Sequence, residues 1–330
     1  MISEIGSVYP WLTGSWANLI AYVHADRMPH AMLITGRRGL GKRLLAKAFG
    51  QRLLCRGDAG EFACGRCAAC RLVAAGTHPD LLTIEPEESG KSITVDAIRE
   101  MIGVLSLKPH YGGHRVVILV PAHQMNRYAA NCLLKTLEEP ASQTLFLLLT
   151  EMPENLPVTI RSRCHRVSVP TPPRSAVVDW LRQCQAGDEA EILCSLAQGA
   201  PFRALELLGT PTAKRRREVF DSWLAVAWGR QDPVAVAASW EKSAAEEVVV
   251  WVRSWVEDII RLRSAPGTVM RNSPDLQDAL RTFVGTLDLV KLFEYLDLSY
   301  RAQRLLAGQV NRQFLLEELA IRWSRLAMDP

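Results

Sequence analysis

Residues 35–43 read TGRRGLGKR. In a loop of the form G-x-x-x-x-G-K-[ST], backbone N–H groups cradle phosphates. The lysine reaches the terminal phosphates, and the hydroxyl residue holds magnesium. Gly36, Gly39, Gly41 and Lys42 stand in their places here, but the hydroxyl position holds Arg43. A guanidinium cannot ligate a cation. Magnesium is also held by an acidic residue at the end of a following apolar strand. That stretch reads VVILVPAHQMN, with Val120 and Pro121 where carboxylates would stand. With both metal-holding positions absent, the main charge neutraliser of phosphoryl transfer is lost. The loop is expected to keep the shape of a nucleotide site without hydrolysing a nucleotide. Capture of a phosphate by the helix N-terminus alone stays open.

A second chemical cluster follows in CRGDAGEFACGRCAACR, which places Cys55, Cys64, Cys67 and Cys70 within one short insert. Overlapping C-x-x-C spacings aim several sulfurs at one centre, and four thiolates suit a tetrahedral zinc ion. A four-cysteine iron–sulfur centre is the alternative, with different customary spacings. Four protein ligands leave no open position, so the site is expected to be structural. Cys132, Cys184 and Cys194 are isolated and are expected in the core.

The elements that must position these groups follow from periodicity. MLIT is a short apolar strand entering the glycine loop, and RLLAKAFGQRLLC after it has helical spacing. PDLLTIEP and HRVVILVP read as strands, with a further short strand and a helix in SITVDAIREMIGVLSLKP. NRYAANCLLKTLEEP is a helix capped by Asn126, with Ala129, Cys132, Leu133, Thr136 and Leu137 on one face and Pro140 as its stop. TLFLLLT is another buried strand. Strands alternating with helices predict a mostly parallel sheet covered on both faces. The proline-rich VSVPTPPRS marks a hinge, beyond which only helices are expected. Six of the nine tryptophans (Trp223, Trp228, Trp240, Trp251, Trp255 and Trp323) lie in that part, at spacings that suit a helical core.

The chain has 330 residues, enough for two or three domains. A formal charge of +4 permits contact with nucleic acid without arguing for it. The opening MISEIGSVYPWL lacks the pattern of an export signal, and no apolar run reaches membrane-spanning length. A cytoplasmic setting is expected, in which clustered cysteines bind metal and do not pair.

The run AANCLLKTLEEP, followed by Ser162, Arg163 and Cys164, is highly specific. With PHAMLITGRRGLGK, the cysteine insert and the C-terminal NRQFLLEELAIRW, it resembles the clamp-loader branch of the AAA+ ATPases along the whole chain. The resemblance implies an α/β AAA+ P-loop base domain over 1–168 with the zinc module at 55–70, a small helical lid over 169–209, and an all-α collar over 210–330. Within that branch the degraded motifs match a stator. The implied complex, part of the DNA polymerase III holoenzyme, uses ATP to open a ring-shaped sliding clamp and set it on primed DNA. Its partners would be the gamma/tau motor subunits, delta, the clamp and DNA through the assembled complex, with no membrane. Arg163 matches the arginine finger that reaches the nucleotide of a neighbouring motor subunit. Thr150 matches the sensor-1 position. Where motor subunits carry a lid arginine, GAPFRAL has Phe202, with Arg203 one place on. Lys135 and Glu138 belong to the signature, with no chemical role assigned to either. The competing readings are an active motor subunit of the gamma/tau type, which would need its metal ligands replaced from elsewhere, and a zinc-based nucleic-acid module. The insert offers the latter only Phe62 for stacking.

Overall fold

A computed structural model describes residues 8–57, 60–88, 90–111, 113–242, 245–265, 273–306 and 310–328. The first seven residues, where no export signal is expected, and positions 58 and 59 of the cysteine insert lie outside the described residues. The chain divides into two units. One comprises Met1–Pro173 with Ala200–Arg203, and the other Arg174–Gly199 with Ala204–Pro330.

The first unit is built on five parallel strands: β1 (Ala31–Thr35), β2 (Leu81–Ile84), β3 (Arg115–Leu119), β4 (Thr144–Thr150) and β5 (His165–Ser168). They lie in the order β2-β3-β4-β1-β5. Every residue of β3 and β4 is buried, which explains their unbroken apolar runs: both faces of the sheet are covered. Alternation along the strands divides the core. Met32, Ile34, Val116, Ile118, Leu145 and Leu147 pack on one face with Trp16 of α1 (Thr13–His24) and Phe49 of α2 (Lys42–Leu54). The helix that begins within the cysteine insert is α3 (Ala68–Ala75). Leu33, Val117, Phe146 and Leu148 pack on the other face with Ile98 of α4 (Val95–Leu105) and Leu133 of α5 (Arg127–Glu138).

The register brings the chemistry together. Thr35, at the end of β1, pairs with Thr150 of β4 and with Ser168 of β5. The glycine loop and Thr150 therefore share the carboxyl edge of the sheet, where parallel α/β folds place their ligand crevices. Asn126 caps α5 as expected, its side chain accepting the Ala129 N–H at 2.8 Å. The buried face of α5 uses Ala129, Ala130, Leu133 and Leu137. Thr136 and the half-buried Cys132 stand at its border.

Some local expectations differ. The short strand expected before α4 is a single bridge between Ile93 and Met125. Ser168, within the expected hinge, closes β5, because this edge strand finds its hydrogen bonds on β1.

The second unit is helical among its described residues. Its larger core stacks Trp223 on Trp323, ring centroids 3.9 Å apart, with Trp255, Phe220 and Tyr295 around them. Five of the six tryptophans expected in this core are buried there. Trp228 is 49% exposed, because it ends the helix Thr212–Ala227 and lies under the Arg230 guanidinium. A smaller core holds Val177, Leu181, Leu193 and the buried Cys194, whereas Cys184 is only half-buried. No described helix is long and apolar enough to cross a membrane.

Candidate functional site

The glycine loop leads from β1 into α2, and Lys42 is the first residue of that helix. Gly39 and Gly41 adopt φ values of +80° and +95°, a region that L side chains rarely enter. Space enforces the same choice. A Cβ on Gly39 would lie 2.6 Å from the Arg203 backbone nitrogen, and one on Gly41 would lie 2.8 Å from the Phe202 ring. In a working phosphate loop, a ligand makes such close approaches. Here the chain itself does so.

The Phe202 N–H donates to the Gly39 carbonyl at 2.9 Å. Its ring meets Tyr9 edge-on at 4.8 Å and Trp11 at 5.7 Å. The Trp11 indole N–H donates to the Leu40 carbonyl at 3.0 Å. Phe202 and Trp11 thus lie against the loop at Gly41 and Leu40, and Tyr9 packs on both of their rings. Lys42 is turned inward on the same loop, its Nζ donating to the carbonyls of Gly36 at 2.7 Å and Arg37 at 2.9 Å. Its side chain is only 8% exposed and lies 3.6 Å from the Glu151 carboxylate. Burial holds the ammonium below its ordinary value, and Glu151 opposes that shift. Arg43 points outward and ion-pairs with Glu85, just beyond β2.

Thr150 is fully buried. Its hydroxyl accepts the Met152 N–H at 3.1 Å and lies 3.0 Å from His123 Nδ1. Burial pushes the His123 imidazole below its ordinary value. The Lys42 charge adds to this, and Glu151 and Glu154 oppose it. Where a magnesium-binding carboxylate would follow β3, this chain thus brings an imidazole against the Thr150 hydroxyl. Tyr9, Trp11, His123 and Glu151 were not singled out by sequence reasoning. None lies in a motif, and they converge only through sheet order. Phe202 was visible only as a departure from an arginine position.

The four cysteines do converge. The sulfurs of Cys55, Cys64, Cys67 and Cys70 all lie within 4.8 Å of one another. Cys55 to Cys67 and Cys64 to Cys70 each span 4.0 Å. Tetrahedral thiolates around zinc at about 2.3 Å would be about 3.8 Å apart, so the set fits a metal of that size. Cys67 caps α3, its sulfur accepting the Cys70 N–H at 3.4 Å, which fixes both ligands on one helical turn. The Cys64 N–H likewise donates to the Cys55 sulfur at 3.3 Å. Phe62 stacks on Trp16 of α1 with centroids 4.8 Å apart and planes 3° from parallel. The one aromatic of the insert is thereby spent on anchoring the module to the base.

Arg163 lies between α6 (Val158–Arg161) and β5, at the surface, with 34% of its side chain exposed. It ion-pairs with Glu138, the last residue of α5. The neighbouring Cys164 is buried, and burial pushes its thiol up to about 11, so it is inert.

Comparison with known proteins places these features in a family. The family described as DNA polymerase III, delta subunit, matches residues 13–173. Its C-terminal counterpart matches residues 211–325. The chain is 34% identical to DNA polymerase III subunit delta' of Pseudomonas aeruginosa over 98% of this chain and 99% of the relative. It is 32% identical to the protein of that name from Escherichia coli, over 95% and 94% of the two chains. A shorter match, 38% identical, covers 42% of this chain and 20% of DNA polymerase III subunit tau/gamma of Haemophilus influenzae.

Proposed function

The chain belongs to the delta' family of DNA polymerase III subunits, and from that premise we propose that it is the stator of a clamp-loader complex. The complex spends ATP at neighbouring subunits to place a sliding clamp on primed DNA during replication. This chain contributes no ATPase of its own. Its partners are the gamma/tau motor subunits and delta, and it meets the clamp and DNA through the assembly, in the cytoplasm. We further read the helical part as a lid over 169–209 and an oligomerising collar over 210–330. The cysteine centre holds one structural zinc ion.

The observation that carries this reading is a contrast within one unit. The glycine loop has the Phe202 ring against Gly41, with Tyr9 and Trp11 packed on that ring, and has Arg43 at its metal position. A permanently charged arginine meanwhile stands at the surface beside β5. That combination suits a subunit that serves a neighbour's nucleotide. A guanidinium supplied in trans neutralises charge on a transferred phosphoryl group, and its planar fork suits two phosphate oxygens. The loop carries no carboxylate, and Glu151, just beyond β4, is engaged with Lys42, so neither favours the motor reading.

Reconstitution of the loader with and without this chain tests the proposal. Clamp loading on primed DNA should require the chain, while the isolated chain should show no magnesium-dependent ATP turnover. Turnover by the chain alone that vanishes with Lys42→Ala would establish a motor subunit instead.

A further inference from the structure

The Arg163 guanidinium is gripped from two helices. Its Nη2 ion-pairs with Glu138 at the end of α5. Its Nη1–H donates to the Thr159 carbonyl within α6 at 2.9 Å. A guanidinium has five N–H donors, so two anchors leave three for other acceptors. Glu138 belongs to the LLKTLEEP run, to which spacing alone assigned no chemistry.

The strength of the grip follows from exposure. The Glu138 side chain is 50% exposed and that of Arg163 34%. Pairs in such surroundings are weak and screened by salt. A weak pair cannot hold an arginine back from a polyphosphate. It can still select one rotamer among the many that a free arginine samples, and so reduce the ordering cost at the moment of contact.

We propose that Glu138 is a positioning residue for Arg163. It orients the guanidinium so that the remaining donors are presented, preformed, to the phosphate oxygens of a nucleotide held by an adjoining subunit. The inference rests on the reading of Arg163 as a finger acting in trans. Glu138 acts only through Arg163 and touches no reacting atom. The adjacent Glu139 is exposed, caps α5 through its backbone, and makes no ion pair with Arg163 among the described residues. It is a matched control for removing one carboxylate at this helix end.

The test is steady-state ATP hydrolysis by the reconstituted complex, stimulated by clamp and primed DNA, using Glu138→Ala, Glu138→Gln, Glu139→Ala, Arg163→Ala and the Glu138→Ala/Arg163→Ala pair. Glu138→Ala should lower kcat several-fold with little change in KM for ATP, because the finger acts on transition-state charge. Glu138→Gln should keep much of the activity, since its amide oxygen still accepts a hydrogen bond. Glu139→Ala should match the parent. Added salt should narrow the gap between parent and Glu138→Ala, because an exposed pair is screened. The double variant should equal Arg163→Ala. Full activity in Glu138→Ala, or an equal loss in the Arg163→Ala background, would overturn the inference while leaving the finger intact. Full activity in Arg163→Ala would overturn the finger reading itself, and this inference with it. Gel filtration monitors assembly. If the alanine variant fails to assemble, Glu138→Gln should show a small loss at low salt that closes as salt is added, and a Gln variant equal to the parent at every salt concentration would overturn the inference.

Discussion

The backbone N–H of Phe202 donates to the carbonyl of Gly39 at 2.9 Å, within the loop where a nucleotide would present its phosphates. The ring that comes with it lies against Gly41, and Tyr9 and Trp11 pack on that ring. The parent chain should therefore show no saturable binding of a fluorescent ATP analogue. Phe202→Ala should uncover the loop and allow weak binding. It should yield no magnesium-dependent turnover, because Arg43 and Val120 remain at the metal positions. Tight, saturable binding by the parent would show that the aromatic cover does not exclude the ligand.

Zinc content gives a second prediction. Four sulfurs within 4.8 Å make one closed site, so freshly purified protein should carry about one zinc per chain. Cys67→Ser should lose the metal and loosen the module, since binding energy at such sites is also folding energy. Elemental analysis decides it, and iron in place of zinc would reassign the centre.

For Arg163 the outcome depends on geometry as well as charge. Arg163→Ala should leave folding, zinc and assembly intact and lower stimulated ATP turnover. A finger is worth about 10³–10⁵ at a single site, and the loss in the whole complex should be smaller where other sites keep their own. Arg163→Lys should restore little, because a point charge cannot reproduce a planar fork. Equal activity in all three proteins would remove the role.

The pH dependence of stability should carry the mark of His123. Its folded value lies below the ordinary 6.5, chiefly through burial. The unfolded chain then binds more protons between the folded value and about 6.5, so stability rises with pH across that window. The contribution is complete above about 6.5 and is lost as pH falls toward the folded value. His78, also lowered by burial, acts in the same direction. His123→Gln should flatten the slope of unfolding free energy on the acid side of about pH 6.5. Denaturant titrations at several pH values measure it, and an unchanged slope would exclude His123 as a contributor.

In the helical unit, Trp323 is fully buried, stacks on Trp223, and donates its indole N–H to the Trp223 carbonyl at 3.0 Å. Trp323→Ala should destabilise that unit by about 3–5 kcal/mol, the usual cost of emptying a large aromatic site. Trp228→Ala, at a half-exposed ring, should cost much less. Chemical denaturation of both variants compares them directly.

The sequence by itself determined what short-range rules govern. Strand β4 was legible because seven successive buried positions demand an apolar run. The α5 N-terminus was legible because Asn126 caps its own next turn. The cysteine set was legible because C-x-x-C spacing brings ligands together within a turn of chain. The absence of a hydroxyl at Arg43 and of a carboxylate at Val120 could be read as well, since the identity of a residue is a local fact. Tertiary structure alone decided the contacts that depend on strand order and register. Pairing Thr35 with Thr150 set β1 and β4 level, and the turn after β3 then carried His123 against the threonine hydroxyl. Phe62 found Trp16, Phe202 found Gly39, and Arg163 found Glu138 by the same kind of convergence. Such partners leave no periodicity in the chain, because each is selected by the space that the folded sheet and its helices leave open. β5 escaped notice for a related reason: a four-residue edge strand gains its identity from hydrogen bonds to β1, not from an apolar pattern of its own.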